Sequence, residues 1–300
     1  MSALDLIGIG ECMVEFRPEA LAGRTDLMRM AWGGDVMNSL VHAARLGLRV
    51  GFQSRIGNDA FGDWLREGWM TEGIDLTHAP LVDGENGIYF ITNDAAGERR
   101  FSYRRAGSAA SRMEPGDLDA AWLGTARFVL LSGITQAIST SAAALNKAAA
   151  QATPRAVYDP NHRPNLWAER GGIAAARQAF AEVARLAAWL LPSYPDDAVL
   201  LAHPAGSPQE ALAGFAAAGS GQVAMKIGPE GVLIRTEGQT RHIPGAQTGP
   251  IVDTTGAGDS WNAAFLAALC GGADPAAAAR SANHHAVKTL AYPGAVPPRG

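Results

Sequence analysis

Cysteine is nearly absent: Cys12 and Cys270 are the only two in 300 residues, far apart and outside any Cys-x-x-Cys or Cys/His spacing. They can build neither a disulfide framework nor a zinc finger, and reduced, cytoplasmic thiols are the expectation. Long apolar runs are also missing. The longest uncharged stretch, Phe128 to Asn146, contains Ser132, Thr135, Gln136, Ser139, Thr140 and Ser141, which would be costly in lipid, so no membrane span is expected. Asp5 and Glu11 interrupt an N-terminus with no basic region before its apolar run, and no secretion signal is read there. Neither sign of charge dominates. The 25 Lys+Arg against 29 Asp+Glu give -4, and like charges run no further than pairs such as Arg99-Arg100, which argues against nucleic acid as a partner.

Three signature loops are missing as well. No Gly-Lys pair exists to complete a Walker A loop, so a P-loop enzyme is excluded. The first strand ends Gly8-Ile9-Gly10-Glu11-Cys12-Met13, without the third glycine of a dinucleotide fingerprint. Without Gly-x-Ser-x-Gly there is no nucleophile elbow.

What is present is an alternation of two periods. Leu4 to Gly10, Arg49 to Ile56, Phe128 to Leu131, Ala156 to Asp159 and Gln222 to Ile227 read as strands. Helical spacing marks Val36 to Ala44 with Gly47 as its stop, Asp59 to Glu72, Ser139 to Ala152, Gly172 to Trp189, Ser207 to Ala218, Ser260 to Leu269 and Pro275 to Thr289. The expectation is one α/β domain over 1–300: a Rossmann-like, mostly parallel sheet with flanking helices. Two segments, about 11–32 and 86–105, break the alternation. In the second, Ile88-Tyr89-Phe90-Ile91 and Arg100-Phe101-Ser102-Tyr103 flank Asn93 to Gly97, which predicts a hairpin standing over the strand ends as a small β-sheet lid.

The most informative segment is Asp253-Thr254-Thr255-Gly256-Ala257-Gly258-Asp259-Ser260, followed by an apolar helix. Gly256, Ala257 and Gly258 would leave backbone N–H groups uncovered at a positive helix end, which suits a transferring phosphoryl group. Asp259, in the first turn, could accept the proton of an attacking hydroxyl. A plain helix cap satisfies the same spacing.

This segment resembles the C-terminal signature of the ribokinase-like, or PfkB, carbohydrate kinases. Gly33-Gly34-Asp35-Val36-Met37-Asn38 is similar to that family's N-terminal signature, and Arg55-Ile56-Gly57-Asn58-Asp59-Ala60-Phe61-Gly62 follows at its usual place. The resemblance spans nearly the whole chain. Gly10 to Glu15, Tyr103 to Ala110 and Asp159 to Trp167 are similar, within the family, to 2-keto-3-deoxygluconate kinases. It implies a kinase with ATP and Mg2+ as cofactors; a monovalent cation is left open, and the metal ligands stay unassigned. The expected reaction is phosphorylation of the terminal hydroxyl of that sugar acid. A fructokinase or other sugar kinase is the alternative within the class, and a silent sugar-binding regulator the alternative outside it.

By the same resemblance Gly33, Gly34, Asp35 and Asn38 bind sugar hydroxyls, where bare glycines let a ligand approach; the bland account is a glycine turn with Asp35 as helix N-cap. Tyr89 and Tyr103 sit on opposite arms of the hairpin, and Arg105 shares the face of Tyr103. Arg105 and Arg163 aimed at one cleft suit a carboxylate. Asn161, Ser193, Lys226, Gly228, Gly231 and Asn283 fall at the nucleotide side. The family's Asn-x-x-Glu becomes Ser193-Tyr194-Pro195-Asp196, with Asp196 standing for the glutamate. His284-His285 read as packing or surface residues, and an uncovered lid sheet is expected to make a homo-oligomer, a dimer or higher.

Overall fold

The computed structural model describes residues 3–19, 26–93, 99–219, 221–247 and 249–299. The chain enters through β1 (Leu6–Ile9) and crosses into two lid strands, β2 (Met13–Pro18) and β3 (Met28–Gly33). Helix α1 (Asp35–Arg45) returns it to β4 (Val50–Gln53). β5 (Ile56–Gly57), α2 (Gly62–Thr71), β6 (Ile74–Asp75) and β7 (Leu81–Val82) follow, then the lid hairpin β8 (Ile88–Asn93) and β9 (Arg99–Arg104). The middle of the chain runs α3 (Ala120–Leu123), β10 (Phe128–Ser132), α4 (Gly133–Ile138), α5 (Thr140–Ala152) and β11 (Ala156–Asp159). Next come α6 (Pro164–Trp167), α7 (Gly172–Ala184), β12 (Trp189–Leu190), α8 (Pro208–Ala218) and β13 (Val223–Lys226). β14 (Gly231–Thr236), β15 (Gln239–Pro244), α9 (Ala257–Cys270) and α10 (Pro275–Thr289) complete the series.

Among the described residues the main sheet has nine strands in the order β15-β14-β13-β12-β11-β10-β1-β4-β6. It is parallel from β13 to β6, with β14 and β15 antiparallel at one edge. Alternate side chains enter two different cores. Leu6, Leu130, Val157 and Ala224 face α1, α2, α9 and α10, while Ile7, Val129, Tyr158 and Met225 face α5, α7 and α8. Strands buried on both faces read as continuous apolar runs, which is why they were legible. Within α9, Trp261 stacks on Phe265 with centroids 4.9 Å apart, and Phe265 meets Trp189 of β12 edge-on at 5.2 Å. Truncating Phe265 to alanine would cost about 3–5 kcal/mol and loosen the helix that carries Asp259.

The lid is a four-stranded sheet in the order β3-β2-β8-β9. The expected hairpin is there as antiparallel β8 and β9, with Tyr89 opposite Tyr103; its turn at 94–98 lies outside the described residues. Segment 11–32 supplies the other two strands, and β2 lies parallel to β8.

Three boundaries differ from expectation. The helix read over Gly172 to Trp189 ends at Ala184, because Trp189 pairs with Val157 in the sheet. Arg49 to Ile56 divides into β4 and β5, the latter pairing with β7. Gly34, with extended φ of -178°, caps α1, and Asp35 is its first helical residue. No helix of the described residues is long and apolar enough to cross a membrane.

Candidate active site

The carboxyl ends of β10 and β11 deliver Ser132 and Asp159 to one narrow cleft, the first turns of α1 and α9 deliver Asp35 and Asp259, and the second turn of α9 delivers Asn262. This is where an open parallel sheet binds ligands. Gly256 has φ of 72°, the left-handed conformation that opens α9, and Asp259 follows in its first turn. Asn38 Nδ2 donates to Asp259 Oδ2 at 2.8 Å, and Ser39 Oγ donates to the Asp259 carbonyl at 3.1 Å. Burial, and then the charge of Asp35, push the Asp259 carboxyl up to about 7. Asp35 is also raised, chiefly by burial; its Oδ2 accepts from the Ser132 hydroxyl and from Asn161 Nδ2 at 3.0 Å.

The expected phosphate cradle is only partly open. The Ala257 N–H donates to the Thr254 carbonyl at 3.3 Å, so it is not uncovered as anticipated. A Cβ on Gly256 would strike Ala295, whereas one on Gly258 would meet nothing within 4 Å. Gly258 is thus the glycine that borders open space. Gly33 and Gly34 also have a different reason from the one expected. A Cβ on Gly33 would collide with the Tyr89 hydroxyl and one on Gly34 with the Glu11 carbonyl, so protein atoms rather than a ligand occupy that room.

In the lid, the Tyr89 hydroxyl donates to buried Glu15 Oε2, while the Tyr103 ring, half-exposed, lies 5.7 Å from that of Tyr89. Arg105 does share the face of Tyr103, its guanidinium 5.5 Å from the ring centroid. Its charge, however, meets Glu11, which is buried, and burial lowers Arg105 to about 10. Arg163, exposed at the start of α6, donates from Nη1 to the His162 carbonyl at 3.4 Å, and its charge acts on both Tyr103 and Asp259.

On the nucleotide side the expected residues scatter. Asn161, with φ of 38°, joins the Asp35 cluster. Lys226 is buried: its Nζ lies 3.1 Å from Asp159 Oδ2 and donates to the Leu191 carbonyl at 2.7 Å and Asn262 Oδ1 at 2.9 Å. Both ends of the Asn283 amide are engaged, by Trp261 Nε1 and the Pro244 carbonyl, each at 2.8 Å. Gly228 and Gly231, with φ of 63° and 102°, turn the chain between β13 and β14, and Gly228 borders open space. Asp196 is exposed. Its neighbour Asp197 is buried, accepts from the His162 and Ser193 N–H groups at 2.7 Å each, and is pushed up to about 7 by burial and by Asp159.

Ser132, Asp159, Asp197 and Asn262 went unremarked as site residues. A signal for two of them existed, since Ser132 and Asp159 end parallel strands. Asn262 lies three residues after Asp259 on the same helix face. A wider hollow between β14–β15 and the start of α10 is lined by Glu237, Arg241 and Asp274; no cleft residue borders it, and the reactive groups converge at the strand ends instead.

Fold and cleft together define a carbohydrate kinase: residues 4–299 match the pfkB family carbohydrate kinase model, and the chain belongs to that family. A 2-dehydro-3-deoxygluconokinase of Thermoproteus tenax is 34% identical over 81% of this chain and 74% of its own length. The enzyme of that name from Dickeya dadantii is 30% identical over 99% of this chain and 98% of its own. A fructokinase of Escherichia coli is 30% identical over 87% and 83%. Among solved structures, the PfkB protein from Polaromonas sp. JS666 superposes with a TM-score of 0.85 at 28% identity, covering 96% of both chains. A putative ribokinase II from Escherichia coli, in complex with ATP and Mg2+, has the same fold with a TM-score of 0.83 at 24% identity, covering 97% and 94%.

Proposed function

We propose that this kinase transfers the γ-phosphoryl of ATP to the terminal hydroxyl of 2-keto-3-deoxygluconate, the sugar acid in the relatives' names. The observation that carries the reading is Asp259: a buried carboxylate poised at about 7, at the start of α9, beside the open backbone at Gly258. A base at that value is half ionised near neutral pH and can take the hydroxyl proton as the phosphoryl group is attacked. Asn38 holds the carboxylate in place. Backbone N–H groups at the start of α9 and its dipole favour the charge of the transferring group. Tyr103 and Arg163 supply the sugar-acid side, the guanidinium matching a carboxylate through two parallel bonds. Closure of the lid sheet would keep water from competing with the sugar.

Magnesium would supply neutralisation of the nucleotide phosphates. Among the described residues no group of three or more His, Cys, Asp or Glu is arranged to hold a metal ion. The whole chain acts as one kinase unit in this reading, in the cytoplasm, where its free thiols persist. Copies associate through the lid face on which Met28 and Met30 of β3 are exposed.

The second reading, a fructokinase, is favoured by the fructokinase relative. ADP release with ATP and a panel of sugars decides between them. The sugar acid is expected to give the highest kcat/KM. A preference for fructose would overturn the substrate, and no release with any sugar would favour the silent binding protein.

A further inference from the structure

The last turn of α1 carries a set of contacts outside the cleft residues described above. His42, one turn beyond Asn38, is 3% exposed, and both of its ring nitrogens are engaged. Nε2 lies 3.0 Å from the Ala295 carbonyl and Nδ1 lies 3.1 Å from His285 Nε2. A carbonyl can only accept, so His42 Nε2 carries the proton and Nδ1 accepts from His285. Burial lowers His42 to about 4, which keeps the ring neutral as this pairing requires. The two rings meet edge to face with centroids 5.2 Å apart.

Ala295 in turn backs onto the phosphate-side turn, since it is the residue that a Cβ on Gly256 would strike. Beside it the Gly294 N–H donates to Asp253 Oδ2 at 2.6 Å, while Asp253 Oδ1 accepts from the Thr255 N–H at 2.9 Å. Arg45, held by both oxygens of Glu72, donates to the Pro297 carbonyl at 2.5 Å. From the lid, Arg17 of β2 reaches Gly294. The segment 294–297 is therefore wedged between the helix that carries Asn38, the lid, and the turn that opens α9.

We propose that His42, braced by His285, is a positioning residue for phosphoryl transfer: through Ala295 it seats the segment at 294–295 against Gly256 and so fixes the direction of the backbone N–H groups opening α9. His285, read from sequence as a packing or surface residue, is its hydrogen-bonding partner. The inference rests on the reading that the terminal phosphate of ATP meets that turn.

Calorimetric titration of two nucleotides tests it without any sugar: adenylyl imidodiphosphate, which carries a terminal phosphate mimic, and ADP, which lacks that group. His42→Ala is expected to weaken adenylyl imidodiphosphate by about 3- to 10-fold and ADP by less than about 2-fold. His42→Gln, whose amide can donate to Ala295 and accept from His285, is expected to restore affinity to within about 2-fold. Equal weakening of both nucleotides means general loosening and overturns the proposal, as does no weakening of either. Should His42→Ala fail to fold, His285→Ala carries the test, with a selective loss of about 2- to 3-fold expected and unchanged affinity overturning it. A wrong sugar leaves these titrations readable, whereas a wild-type protein that binds neither nucleotide overturns the kinase reading along with the inference.

Discussion

Replacing Asn38 by leucine removes the hydrogen bond that holds Asp259 ionised while leaving a side chain of similar size. That bond is 2.8 Å long and ends on a buried carboxylate. A hydrogen bond to a charged group is worth ~1.5–3 kcal/mol, and at ~1.4 kcal/mol per pH unit its loss raises the carboxyl by about one to two units. From a value of about 7, the acid limb of kcat/KM should move to about pH 8–9. The sign follows from the role of a base: only the ionised form works, so raising its pKa lowers activity at neutral pH and leaves it recoverable in alkali. At pH 7 the ionised fraction falls from roughly a half to roughly 1–10%. The assay is kcat/KM from about pH 6 to about pH 10, which reports groups of the free enzyme. A lost sugar contact lowers the whole profile evenly and leaves the limb in place. A limb within a few tenths of a unit of wild type would refute the argument, as would a wild-type profile with no limb near 7.

Arg163→Ala should lower kcat/KM for the sugar acid by about 10- to 150-fold, from ~1.5–3 kcal/mol of charge-assisted bonding, and lower it much less for fructose; equal losses would assign Arg163 to another task. Arg105→Ala should instead destabilise the fold by about 3–5 kcal/mol, because it strands buried Glu11. Thermal melting reads that loss, and Glu11→Gln in the same background should recover part of it; an unchanged melt would show that the pair contributes nothing. Saturating sugar should slow amide exchange in Ile88–Asn93 and Arg99–Arg104 if the lid closes. Unchanged exchange in both strands would count against closure.

The parallel strands and long helices were legible because each obeys one period and ends on turn residues; α10 lies where Pro275 to Thr289 predicted it. The antiparallel edge, β14 and β15, was not, because polar, exposed residues such as Gln239, Thr240, Arg241 and His242 carry little apolar alternation. The candidate base was legible from small residues before a helix. Its surroundings were not: Asp35, Asp159 and Asp259 come from three distant parts of the chain, and spacing cannot report a contact made across the sheet. The same limit explains Arg105, whose partner Glu11 lies in the crossing from β1 to β2, and the inward turn of Asp197 beside exposed Asp196, since which of two adjacent carboxylates turns inward is decided by the donors waiting there.

The most direct test of the account is turnover of Asp259→Asn on the preferred sugar acid. An amide cannot take the hydroxyl proton, yet it keeps the shape of the side chain within reach of Asn38. We expect kcat to fall by at least about 100-fold with sugar binding and melting temperature close to wild type. Turnover within a few-fold of wild type would contradict the assignment of Asp259 as the base and leave it a carboxylate that caps a helix.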